Sequence, residues 1–173
     1  TATSLNGDII DTGLGGVRLG GAVVNNVPVV GQGVVTLAAT NGNIVLDDPT
    51  SDVLSSAGIV FNAQNVTISV LGSLGSNLVL GAAGMPSSVS GNLTASSALG
   101  NIGNAGPLSV GATAFFQTGN GNITIAQSGV GFGALRFVGN QVSIQEAGNM
   151  DILTGSTAFG PASFEAPLAA RMF

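Results

Sequence analysis

A small-polar corner followed by a short β-branched run recurs along the chain, as LNGDII at 5–10, TNGNIVL at 40–46 and GNGNITI at 119–125. Asn and Gly tolerate positive φ and turn tight corners, whereas Ile, Val and Thr favour extended backbone. Such words call for many short strands joined by sharp turns. Other runs fit the same scheme, among them VVTLA (34–38), GIVF (58–61), NVTISV (65–70), NLVLG (77–81), LSVGATAFF (108–116), LRFV (135–138) and QVSI (141–144). No segment shows a sustained helical apolar period with caps, so helices beyond a turn or two are not expected.

The residue types that are missing narrow the chemistry. Among 173 residues there is no His, Cys, Trp or Tyr, and the only cations are Arg18, Arg136 and Arg171 against eight acids, for a net charge of −5. No basic footprint exists to neutralise phosphates, so nucleic acid is not an expected partner. Zinc and haem sites lack their ligands, and the usual nucleophile–base pairs lack their base. Between Asp52 and Arg136 the sequence carries no charge at all. Even so, Gly, Asn, Ser or Pro interrupts every apolar run well before a membrane-spanning length. The absence of Trp and Tyr also removes the aromatic girdle of a membrane barrel. The chain is therefore not expected to be membrane-embedded.

Spacing favours a solenoid over hairpins. Up-and-down sheets guard their edges with charge, and this chain has little to spend. The Asn-Gly corners at Asn6, Asn41 and Asn120 lie 35 and 79 residues apart, near two and four turns of a coil of about 19 residues. A longer internal duplication supports this. VVTLAATNGNIVL (34–46) and TAFFQTGNGNITI (113–125) are followed by IVFNAQNVTIS (59–69) and LRFVGNQVSIQ (135–145), in the same order of strand, corner and strand. The expected fold is all-β: a parallel β-helix of about eight or nine coils, forming a rod on the order of 40 Å long. Small apolar residues would fill its interior, and stacked Asn side chains would form ladders at the corners. Residues 1–160 are assigned to the solenoid and 161–173 to a C-terminal cap or docking segment.

The run from NVTIS (65–69) through GNLTASS (91–97), LSVGATAFF (108–116), GNGNITI (119–125), FGALRFVGNQVSI (132–144) and MDIL (150–153) resembles the repeats of filamentous-haemagglutinin-like exoproteins. The resemblance covers residues 34–160 well and the first thirty weakly. It implies a right-handed β-helical rod, secretion through an outer-membrane partner pore, and work at the bacterial cell surface or beyond it. Members of that family act as adhesins, biofilm components or stalks. The Asn-Pro-containing signature of the family's secretion domain and an Arg-Gly-Asp motif are not found here.

Several residues are candidates for chemistry. Asp47, Asp48 and Asp52 share the loop LDDPTSD, where calcium would find carboxylate and carbonyl oxygens; the bland alternative is a solvated turn. Asn65, Asn92 and Asn122 open the sequons NVT, NLT and NIT, which could accept glycans or could simply begin strands. Phe159, Phe164 and Phe173, with Arg171, crowd the C-terminus as a cap over the last coil or a surface for another subunit. A carboxylate pair for polysaccharide cleavage would need cations or aromatics lining a groove, and the chain has few of either.

The expected function is that of a non-catalytic extracellular structural or adhesive rod without a cofactor, calcium aside. Its partners would be neighbouring solenoid segments, further copies, or host-cell and matrix glycans and proteins. Two alternatives stand beside it: a filament subunit joined end to end, and a polysaccharide-cleaving β-helix enzyme.

Overall fold

The computed structural model describes residues 1–11, 18–19, 21–24, 27–30, 33–48, 52–53, 57–70, 77–167 and 170–172. Among them there is no helix, and hence none long and apolar enough to cross a membrane. The strands stack in parallel as a β-solenoid.

Each complete coil has three faces. The first face stacks Ala2–Ser4, Val35–Ala39, Ile59–Ala63, Ser87–Val89 and the opening residues of Leu108–Thr118 and Val130–Gly139. The second stacks Ile9–Ile10, Ile44–Leu46, Val66–Val70, Leu93–Ser97 and the later parts of those same two long strands. The third stacks Leu78–Leu80, Ile102–Asn104, Ile123–Ile125, Val142–Gln145 and Ala162–Glu165. Within 161–173, Ala170–Met172 also pairs in parallel, with Met150–Ile152.

The solenoid has about five complete turns, not eight or nine. The coils are longer than the sequence words suggest. On the second face the register steps 35 residues from Ile9 to Ile44, 22 to Val66, 27 to Leu93 and 21 to Ala114. Steps as short as 19 come only late in the chain, from Ile123 to Val142 and from Val138 to Thr157, with one of 17 from Leu135 to Ile152. Excursions account for the excess. An antiparallel hairpin, Gly21–Val24 with Val27–Val30, lies in the first coil. A turn closed by the Ala82–Met85 bridge extends a later one.

Parallel sheets are usually covered on both sides and read as continuous apolar runs. Here only one side is covered, so the strands alternate. Leu93, Ala95 and Ser97 are buried while Thr94 and Ser96 are only partly so. The inward set includes Phe61, Leu108, Ile44, Ile68, Leu135, Leu78, Ile102 and Ile123. Burying each such branched or aromatic side chain contributes about 1.5–3 kcal/mol. Phe116 and Phe132 meet edge to face with centroids 5.7 Å apart, joining neighbouring coils. Outside, Arg136 lies over the ring of Phe115 at 5.0 Å, which shields an aromatic on the solvent side.

Candidate functional site at the coil corners

Among the described residues, two corners carry side-chain ladders of several rungs, and at the third Asn104 Oδ1 accepts the N–H of Ala126 at 3.0 Å. Entering the second face, Asp8 Oδ1 accepts the backbone N–H of Asn43 at 2.7 Å and its Nδ2 at 3.2 Å. Asn65 Nδ2 donates to Asn43 Oδ1 at 2.9 Å, and Asn65 Oδ1 accepts the N–H of Asn92 at 2.8 Å. Asn92 Oδ1 then accepts from Thr113 N–H at 3.1 Å. Entering the third face, Asn101 donates to Asn77 Oδ1 through its backbone N–H at 3.1 Å and its Nδ2 at 3.0 Å. Asn122 N–H donates to Asn101 Oδ1 at 2.7 Å, and Gln141 N–H to Asn122 Oδ1 at 3.2 Å.

The residue type follows from the geometry. At a corner the strand ladder is interrupted, and each N–H there takes an acceptor from the neighbouring coil. An amide oxygen supplies it while the amide NH2 can donate to the rung before. A carboxylate can only accept, which suits Asp8 at the first described rung.

The repeated words do not all share one corner, as their similarity suggested. LNGDII and TNGNIVL are one coil apart, since Ile9 is in register with Ile44. Asn43 belongs to the second-face ladder, whereas Asn122 of GNGNITI belongs to the third-face ladder. The steps Ala38–Asn62–Ser88–Ser109 complete three turns, and the duplicated segment then starts one face further on. A strand–corner–strand word fits any face, so similarity in sequence does not fix the face it occupies.

The three sequon asparagines are rungs of these ladders: Asn65 and Asn92 in one, Asn122 in the other. Asp47 and Asp48 follow the strand Ile44–Leu46, and Asp52 begins the strand Asp52–Val53, paired with Arg18–Leu19. Their companions Thr50 and Ser51 lie outside the described residues. Among the described residues no group of three or more His, Cys, Asp or Glu side chains could hold a metal. Two of the C-terminal aromatics are among the described residues. Phe159 is 70% exposed, whereas Phe164 is half-buried against Phe137 with centroids 5.2 Å apart. Phe173 lies outside the described residues, and Arg171 sits in register with Asp151.

Glu146 is a residue that sequence reasoning did not single out. Its side chain is only 2% exposed. Oε1 accepts the N–H of Phe132 at 2.8 Å, while Oε2 is buried without a hydrogen-bond partner. Burial raises its pKa above the ordinary carboxylate value, the Phe132 hydrogen bond opposes this, and the nearby Asp151 charge adds to the rise. Glu146 underlies a depression of about 490 Å³ lined also by Gln127, Gln145, Phe164 and Glu165. The only sequence signal was an acid at the end of an alternating run, QVSIQEAG.

No family model, no curated protein and no solved structure matches this chain.

Proposed function

We propose that the chain is a non-catalytic β-solenoid rod that serves outside the cell as a structural or adhesive element, of the kind found in filamentous surface adhesins and biofilm fibres. The observation that carries this proposal is where the polar groups go. Asn43, Asn65, Asn92, Asn101 and Asn122 hydrogen-bond from coil to coil, and this stiffens a stack. Side-chain ladders along a stacked axis resist local opening because every rung satisfies its neighbours. The uncharged run between Asp52 and Arg136 avoids columns of like charge along the outside. The resemblance of 34–160 to exoprotein repeats points the same way and supports work at a bacterial surface.

Small-angle X-ray scattering of the purified chain, joined with electron microscopy of native material, tests the proposal. An elongated particle of solenoid cross-section, or fibres built from it, is the expected result. A compact globule would sink it, as would turnover of acidic polysaccharides in an activity screen.

A further inference from the structure

The corner between the second and third faces exposes two large apolar side chains, Leu99 and Phe159. Phe159 is 70% exposed, although its backbone is fixed: its N–H donates to Gly139 O and that of Gly160 to Asn140 O, both at 2.9 Å. The ring borders a depression of about 470 Å³ whose other walls are Gly119, Asn120 and Asn140. Asn140 N–H donates to Gly121 O at 3.0 Å, so Asn120, Asn140 and Phe159 belong to successive coils at one corner. Asn120 is exposed and takes no part in the corner ladders. No charged residue occurs at this corner in 98–101, 119–122, 139–141 or 159–161.

We propose that this corner binds a neutral, hexose-based glycan. A pyranose ring has an apolar C–H face that can lie on the Phe159 ring, and vicinal hydroxyls that both donate and accept. An amide offers one acceptor and two donors, which matches such a pair. Coils stack at about 4.8 Å, close to the advance of one hexose in an extended glycan chain, so Asn120 and Asn140 meet neighbouring positions along it. A sulfated or uronic-acid glycan would meet no cation here and would lose hydration for nothing. The proposal rests on the adhesive half of the function above and adds the chemistry of the partner.

The test is saturation-transfer NMR on the full chain with cellohexaose and chitohexaose as neutral probes and a heparin hexasaccharide as the anionic one. The expected result is transfer to a neutral probe that persists at high salt, weakens in N120A and is lost in F159A. Because Phe159 is exposed, F159A should keep the circular dichroism of the parent. Unchanged binding by F159A overturns the proposal, as does transfer to heparin alone or to no neutral probe. Concentration-dependent self-association abolished by F159A would overturn it too, assigning the ring to a second copy of the chain. Scattering from the same sample separates the two claims: a rod that binds no glycan leaves the structural function standing.

Discussion

Glu146 reaches inward to accept the backbone N–H of Phe132 at 2.8 Å, where a neighbouring strand would normally provide a carbonyl. On either side of this point the coil-to-coil bonds are ordinary, from Ala147 N–H to Val130 O and from Leu153 N–H to Leu135 O, both at 2.8 Å. Ser87 plays the same part earlier. The chain leaves the ladder at Gly81, whose N–H still reaches Ile59 O at 2.7 Å, and the N–H of Phe61 is received by Ser87 Oγ at 3.1 Å. Irregular coils thus borrow side-chain acceptors.

The buried acid makes stability depend on pH in a direction opposite to most carboxylates. Its folded pKa is raised above the ordinary 4.5, chiefly by desolvation, so folding favours the protonated form. The contribution is fully present below the unfolded pKa and is lost as pH rises from there through the folded value. Thermal melts of the parent and of E146Q should converge in acid and separate above pH 4.5, with E146Q the more stable at neutral pH. The difference between the two melts isolates Glu146, because every other residue is common to both proteins. A constant difference across the range would refute the assignment.

S87A should destabilise the fold by about 1–3 kcal/mol, because it leaves a buried N–H without an acceptor. Ser87 is 1% exposed and Phe61 is fully buried, so water cannot step in. Urea unfolding at equilibrium checks this. A change below a few tenths of a kcal/mol would mean that the Phe61 N–H has another acceptor.

The corner ladders distinguish acceptor from donor. Asn101 does both, giving through Nδ2 to Asn77 Oδ1 and receiving the N–H of Asn122. N101D keeps the acceptor but sets a carboxylate against Asn77 Oδ1, so it should cost at least as much as N101A, about 0.5–1.5 kcal/mol for these exposed bonds. D8N should be nearly neutral, since Asp8 only accepts from Asn43. Denaturant midpoints of the three variants test the ordering, and an N101D protein as stable as the parent would show that the donor side of the rung is idle.

The parallel solenoid was legible because corner residues and alternating runs recur, and because so little charge leaves few ways to guard open sheet edges. Asn ladders were legible for the same reason. Coil length was not. The words record a strand, a corner and a strand, but not the residues looped out between them, such as the hairpin Gly21–Val24 with Val27–Val30. Face assignment was not legible either, since Asn43 and Asn122 stand in identical local sequence at different corners. Glu146 escaped notice because its role depends on a missing carbonyl, which only register reveals.

Two left-handed glycines should respond very differently to alanine. Gly58 adopts φ 99°, and a Cβ there would run into the carbonyl oxygen of Gly81 on the next coil. Gly84 adopts φ 71° in the turn that closes at Ala82 and Met85, with open space where its Cβ would stand. G84A therefore meets only the backbone penalty, about 1–2 kcal/mol. G58A meets that penalty and also forces neighbouring coils apart, and because the clash is with backbone no side chain can swing aside. Melting curves should rank parent, G84A and G58A in falling order, with G58A losing several times more than G84A. Equal losses would mean that the coils at Gly58 and Gly81 yield as easily as an open turn, which a ladder-locked stack should not do.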